Sequence, residues 1–208
     1  MSSPRDFWNA RYAEAPLAYG EAPNAFVVRE AHRLPAGGHI LLPGDGQGRN
    51  SIWLARRGYT VTCVDWSGTG LARAEELAAR HGVRIRTVCA DLALWDWPKQ
   101  AFDGVVAVHL HLPPDVRPTV HRAMLHALRP GGTLLLEAFD LEQINYTSGG
   151  PGRLEMLYSA EMLAEDFAEG DILLLERAQV ELDEGPYHQG PAEVVRLVAQ
   201  MPSQEPVG

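Results

Sequence analysis

Positive charge is scarce: 18 Lys plus Arg stand against 27 Asp plus Glu, a formal net charge of −9, and the basic residues are scattered rather than bunched. Phosphate backbones are gripped by a concentrated positive footprint, so nucleic acid is not an expected partner. Cysteine is scarcer still. Cys63 and Cys89 each lie inside a β-branched apolar run and read as buried small hydrophobes of a reducing compartment, with no disulfide between them. Long apolar runs are missing too: nothing approaches the roughly 18 residues of a membrane helix, and the opening residues through Trp8 form no signal-type apolar segment. The expectation is a cytoplasmic protein with no membrane partner. What is present is ordinary, 46% hydrophobic and 22% charged residues, which excludes a disordered, collagen-like or disulfide-scaffold chain. A length of 208 residues fits one domain over 1–208, with a core large enough for an open sheet covered by helices.

Hydrophobic periodicity supplies the element order. Residues 1–34 read as a helical lid of two short helices, the first with Phe7, Trp8 and Tyr12 at helical spacing, the second with Phe26, Val27, Glu30 and Ala31. Pro16, Gly20 and Pro23 break the pattern between them. The core, 35–201, begins with the apolar run His39–Leu42, stopped by Pro43 and a glycine-rich loop, which is a strand entering a tight turn. A helix over Arg49–Arg57 closes at Gly58, a strand covers Thr60–Val64, and Ser67 caps a helix to His81 that ends at Gly82. Arg84–Cys89 alternates as a third strand, Phe102–Val108 is a buried fourth, Asp115–Leu128 a helix, and Pro130-Gly131-Gly132 a turn into Thr133–Leu136. Such βαβ alternation gives right-handed crossovers, a parallel sheet with helices on both faces, and ligands at the carboxyl ends of the strands. The tail departs from this rhythm: a loop Asp140–Arg153, a helix Ser159–Phe167, then runs Asp171–Leu182 and Ala192–Met201 that pair as an antiparallel hairpin on one sheet edge. Residues 202–208 read as a frayed tail.

The strongest local signal is Gly44-Asp45-Gly46-Gln47-Gly48 between a strand and a helix start. Bare glycines let a ligand lie against the backbone, and the free amides of the helix N-terminus face it. A dinucleotide fingerprint would put its third glycine where Arg49 stands, so the nicotinamide pattern is broken, although Asp65 would suit such an oxidoreductase. No Walker lysine follows the loop, which argues against a triphosphate. Asp65 ends the second strand, where a carboxylate can accept from both hydroxyls of a ribose. Asp91 ends the third beside Ala90 and Leu92, where it can accept from the exocyclic amine of adenine, with Trp66 and Leu92 on either side of the base. Each acid also has a plainer reading: Asp91 caps a turn, and Asp65 caps the following helix through Ser67.

These residues resemble the class I S-adenosylmethionine-dependent methyltransferases, and among them the tellurite-resistance and thiopurine-methyltransferase-like branch. The likeness rests on Phe7-Trp-Asn-Ala-Arg-Tyr12, Gly44-Asp-Gly-Gln-Gly-Arg-Asn50, Val64-Asp-Trp-Ser67, Ala90-Asp-Leu92, His111-Leu-Pro-Pro114, Leu128-Arg-Pro-Gly-Gly132 and Glu184-Gly-Pro-Tyr-His188, in order across nearly the whole chain. It implies a Rossmann-like α/β fold with a seven-stranded, mostly parallel sheet, helices on both faces and the last strand antiparallel. It further implies S-adenosyl-L-methionine as cofactor and a small-molecule acceptor with a soft nucleophile, a thiol or a chalcogen oxyanion. Arg11 matches an arginine that holds the cofactor carboxylate, and Arg49 and Asn50 match the residues after the loop. One position departs: the family's acid two residues before the first glycine is Leu42 here, followed by Pro43. That departure leaves open a noncatalytic binder or sensor of the same nucleoside.

Methyl transfer from a sulfonium asks the protein mainly for alignment. A thiolate or reduced chalcogen is nucleophilic near neutral pH, so a dedicated base is optional. His188, in a loop flanked by glycine and proline near the mouth of the site, is the first candidate to contact substrate, against the plainer reading of a solvated histidine. Arg177 is the second, as a steering charge for an anionic substrate, against a solvated strand arginine. His109 and His111 would face one side of an extended chain, but no third ligand follows at a recognised spacing, His121 and His126 being five apart, so no metal site is expected. His109, with Val108, is read as lining the cofactor pocket, and Trp8 as a lid over it.

Overall fold

Ser3 opens the first helix, α1 (Pro4–Glu14), with a capping box: its hydroxyl accepts from the Asp6 amide while the Asp6 carboxylate accepts from the Ser3 amide. The structure is a computed structural model that describes residues 3–15 and 17–203. The break expected at Pro16, and the tail from residue 204 onward, lie outside the described residues. Asn24 caps α2 (Ala25–Glu30), β1 (His39–Pro43) leads through the glycine loop into α3 (Arg49–Arg56), and the alternation continues with β2 (Thr60–Asp65), α4 (Gly68–Arg80) and β3 (Arg86–Cys89). Next come β4 (Phe102–Val108), α5 (Arg117–Ala127) and β5 (Leu128–Phe139). A short α6 (Ala160–Asp166), capped by Ser159, precedes the hairpin of β6 (Asp171–Asp183) and β7 (Gln189–Gln200).

The seven strands are ordered β3-β2-β1-β4-β5-β7-β6. Neighbours are parallel as far as β5, and β7 runs antiparallel to both β5 and β6. Side chains alternate along each strand, so Leu41, Val105 and Leu134 bury in one layer with Met124 and Leu125 of α5. Ile40, Leu42, Val106 and Leu135 bury in the other, with Leu54 of α3 and Leu71 of α4. Both faces are covered, which is why these strands read as continuous apolar runs in the sequence. Strand addition reverses direction between β1 and β4, and there the carboxyl ends border a crevice.

Local details differ from the sequence reading. Arg84 and Ile85 fall outside β3, and the turn at Pro130-Gly131-Gly132 is a bulge within β5: Phe102 pairs with Leu128, but Gly104 pairs with Thr133. Cys63 is buried as expected, whereas Cys89 is exposed, because β3 is a sheet edge and the thiol there meets the Arg5 guanidinium and the Trp66 carbonyl instead of the core. No helix among the described residues is long and apolar enough to cross a membrane.

Candidate active site

A cavity of about 840 Å³ opens beyond the ends of β1, β2 and β4, a size that encloses a cofactor-sized ligand. Every residue assigned to the site from sequence lines it except Gly46 and Arg177. Gly46 does present a bare face, but the Tyr12 hydroxyl and ring lie against it, with the other side of that ring against Gly70. The second glycine of the loop therefore admits a side chain of α1 rather than a ligand. Gly48, the N-cap of α3, has left-handed backbone (φ 85°), and a Cβ on it would lie 2.7 Å from the Ala74 Cβ, so only glycine lets α3 and α4 close here. Arg177 is the second correction. On the edge strand β6 its side chain is 53% exposed and pairs with Asp140 at 2.6 Å, outside the cavity, so it cannot steer a substrate within it.

The two acids at the strand ends are both in place. Asp65 accepts from Gly46 N at 3.0 Å and from Ser67 N at 2.8 Å, so one carboxylate ties the glycine loop to the end of β2 while facing the cavity. Burial raises its pKa, and these backbone donors oppose the rise. The cap of α4 is Ser67 itself. Asp91 closes a turn by accepting from Ala93 N at 2.9 Å, and it lines the cavity beside Ala90 and Leu92.

Leu42 is sealed in the core, so the acid of this loop is Asp45. Its carboxyl is hydrogen-bonded by Ser51, and Oδ2 has no partner among the described residues. Burial pushes its pKa from 3.8 up to about 7, with Ser51 and Arg49 opposing. A carboxyl raised on folding contributes stability that is complete below its unfolded pKa and is lost as pH rises through the folded one. Asp45→Asn, which is neutral at every pH, is therefore expected to be about 2 kcal/mol more favourable near pH 8 than near pH 5, read from denaturant titrations of both proteins. Equal effects at the two pH values would mean that Asp45 is already ionised in the folded state under acidic conditions.

Segments from opposite ends of the chain roof the cavity. Arg49 donates to Glu184 Oε2 at 2.8 Å and to the Tyr19 carbonyl at 3.3 Å, and Asn50 Oδ1 accepts from Asn24 N at 2.9 Å. Asn24 Nδ2 in turn donates to Glu137 Oε1 at 2.6 Å and to Glu184 Oε1 at 3.1 Å, and Arg196 donates to Glu137 Oε2 at 2.7 Å. Arg49 and Asn50 thus line the cavity with polar groups already engaged by the chain. The Arg11 guanidinium lies 3.7 Å over the Tyr187 ring and donates to the Tyr19 hydroxyl, while Trp8 stacks on Tyr12 at 5.6 Å.

His188 is not a solvated loop residue. The tight turn after β6 holds its ring inside, 6% exposed, with Nδ1 3.2 Å from Glu184 Oε2 and the ring centroid 4.6 Å from that of Tyr19. Burial pushes its pKa down to about 4 against the opposing pull of Glu184, so the ring is neutral at neutral pH. For Glu184 burial acts to raise the pKa, but His109, His188 and Arg49 outweigh it and hold the carboxyl well below the usual range. His109 takes a left-handed backbone (φ 51°) just past β4, and both it and His111 line the cavity with their rings stacked on Phe139. His111 is fixed through Nδ1 to the Met156 carbonyl at 2.7 Å and through Nε2 by Phe139 N at 3.2 Å, and burial pushes its pKa down to about 3. His109 stacks on Phe139 at 4.4 Å, with Nε2 3.4 Å from Glu184 and 3.7 Å from Glu137.

The residues missing from the sequence reading are those that meet across the fold: Tyr12 over the glycine loop, and Asn24, Glu137 and Glu184 around the histidines. Tyr12 and Glu184 each stood within a matched segment, Glu184 four residues before His188, whereas Asn24 and Glu137 carried no signal. The comparisons with known proteins settle the class. A family model described as "Methyltransferase domain" matches residues 40–132, from β1 into β5. The chain is an S-adenosylmethionine-dependent methyltransferase. Over 165 residues this methyltransferase is 22% identical to the thiopurine S-methyltransferase of Legionella pneumophila (strain Paris), covering 69% of this chain and 73% of that one. Its fold matches that of a protein solved in work on "conversion of a disulfide bond into a thioacetal group during echinomycin biosynthesis", with a TM-score of 0.79, 21% identity, and coverage of 98% of this chain and 94% of that one. TehB from Haemophilus influenzae shares the fold with a TM-score of 0.71 and 21% identity, over 94% of this chain and 66% of that one. The cofactor of the methyltransferase is S-adenosylmethionine, which sets aside the nicotinamide reading of the loop.

Proposed function

We propose that the methyltransferase passes the methyl group to a small acceptor through a soft nucleophilic atom, a thiol or a chalcogen oxyanion. The observation that carries this reading is the wall past the end of β4, which is made of polarisable groups: the rings of Phe139, Tyr19 and His109 and the thioether of Met156. The carboxylates nearby, Glu137 and Glu184, are held by Arg196, Arg49 and Asn24. Such a wall favours a weakly hydrated sulfur or selenium centre over a hard oxygen anion. The sulfur chemistry named for the Legionella thiopurine enzyme and for the thioacetal-forming protein supports the same reading.

The other half of the cavity fits the cofactor. The Gly44 backbone beside Leu110, two acids at successive strand ends and the apolar faces of Trp66 and Leu92 are the complement of an adenosyl group. In this reading Asp65 holds the ribose, Asp91 the adenine amine and Arg11 the carboxylate, with Asp45, Gly48, Ala90, Val108 and His109 lining the remainder and Trp8 and α1 forming a lid. When bound, S-adenosylmethionine supplies an electrophilic methyl on a sulfonium. The chain's own part is to align the acceptor and exclude water. Incubation with S-adenosylmethionine and 6-mercaptopurine, 2-mercaptoethanol or selenite is expected to yield S-adenosylhomocysteine together with a methylated sulfur or selenium product by mass spectrometry. Methylation confined to catechol or amine controls would overturn the soft-acceptor reading.

A further inference from the structure

We propose that Glu184 and His188 form a proton-accepting dyad, so that the acceptor is a neutral protic molecule which His188 Nε2 deprotonates while Glu184 acts as the positioning residue. The inference rests on the soft-acceptor reading and narrows it from any soft nucleophile to one that arrives carrying its proton. Glu184 is fixed from three directions, by Arg49 at 2.8 Å, Asn24 at 3.1 Å and His188 Nδ1 at 3.2 Å. An ionised carboxylate can only accept, so Nδ1 carries the hydrogen and Nε2 the lone pair. The turn that presents the ring is closed by hydrogen bonds from Glu184 N to the His188 carbonyl at 2.9 Å and from His188 N to the Gly185 carbonyl at 3.1 Å. Tyr19, His109 and Phe139 wedge the ring on its other sides. The ring lines the cavity, and its Nε2 edge lies beside Gly149, where a Cβ would sit 2.6 Å from His188 Cδ2 and 3.2 Å from Nε2.

His109, Glu184 and His188 also offer donor atoms within 4.8 Å of one another, the spacing of a metal site. The charges argue against a cation. Glu184 Oε2 already receives Arg49, and Arg49 and Arg196 balance Glu184 and Glu137, so a divalent ion would add two uncompensated charges to a buried cluster. Neither nitrogen of His109 has a hydrogen-bond partner among the described residues, so the outer partner that orients a metal-binding imidazole is missing as well.

In the step itself the X–H bond of the acceptor breaks with its electron pair left on X, and the proton bonds to His188 Nε2 while Nδ1–H stays with Glu184. The pair on X forms the X–C bond as the C–S bond of the sulfonium breaks with its electrons going to sulfur. The imidazolium then loses its proton to water at the mouth of the cavity. An acceptor that is already ionised gains nothing from this base.

Two thiols therefore separate the roles: 2-mercaptoethanol, protonated near neutral pH, and 4-nitrothiophenol, ionised there. Glu184→Gln and His188→Gln are each expected to lower kcat/KM for the first about 100-fold more than for the second. Equal losses on both thiols would assign a merely structural role and overturn the dyad. Nitrogen-15 NMR of the ligand-free protein checks it without turnover: His188 should be the Nδ1–H tautomer with a bare Nε2, and Glu184→Gln should mix the tautomers. An Nε2–H tautomer in the unaltered protein overturns the proposal, and so does one-to-one Zn²⁺ binding by calorimetry that is lost in His188→Gln. If the unaltered enzyme methylates neither thiol, the soft-acceptor reading fails, and the NMR result still decides the dyad.

Discussion

Asp65→Ala is expected to weaken S-adenosylmethionine binding about 30- to 100-fold and to lower global stability by about 2 kcal/mol. The carboxylate makes two charge-assisted bonds within the chain, from Gly46 N and Ser67 N, and removing it leaves both amides without their acceptor in a buried place. Each such bond to a charged group is worth roughly 1.5–3 kcal/mol, and an orphaned donor costs a similar amount. Affinity falls further than stability because the same deletion slackens the glycine loop and removes the acceptor assigned to the ribose. Asp65→Asn keeps one acceptor oxygen and should recover part of both losses. Calorimetric titration with S-adenosylhomocysteine, alongside thermal melts, separates the two effects. Binding to the alanine variant within threefold of the unaltered protein would place the ribose elsewhere.

Gly185→Ala is expected to destabilise the protein by about 3 kcal/mol and to release the N-terminal segment from the hairpin turn. Gly185 has left-handed backbone (φ 80°), and a Cβ on it would lie 2.8 Å from the Tyr19 carbonyl carbon and 2.9 Å from the Ala18 oxygen. Those atoms are main chain and cannot swing aside as the tip of a side chain would. A methyl group there forces apart the turn that carries Glu184 and His188 and the strand of chain that carries Tyr19. The expected fall in melting temperature is on the order of 6–12 °C for a domain of this size. Gly58→Ala is the control: its φ is 90° with nothing near the added Cβ, so it bears the backbone cost alone, about 1 kcal/mol. Similar melts for both variants would show that the roof yields without loss.

The element order was legible from residue order because its causes are local. Apolar runs such as His39–Leu42 and Phe102–Val108, the Ser67 cap and the glycine punctuation at Gly58 and Gly82 each act within a few residues. The acids Asp65 and Asp91 were legible for the same reason: each follows the last residue or marks the end of a strand whose register the periodicity already defines. Parallel βαβ pairing then places strand ends side by side, so those positions converge without further information. What remained illegible depends on packing between distant segments. Nothing near Gly46 announces that Tyr12 takes the space over it, and nothing near Arg177 announces that β6 is an edge strand whose side chains there meet Asp140 and solvent. The cluster of His188, Glu184, His109 and Glu137 with Arg49, Arg196 and Asn24 draws on six separate segments of the chain. Burial lowers the His188 pKa, whereas His109, His188 and Arg49 hold the Glu184 carboxyl ionised against a burial that acts to raise its pKa. The residue order determined a layered α/β sheet with a nucleoside-sized crevice at its switch point, whereas the tertiary structure decided which side chains face that crevice and in which charge state, because desolvation and long-range ion pairing exist only once the chain has folded.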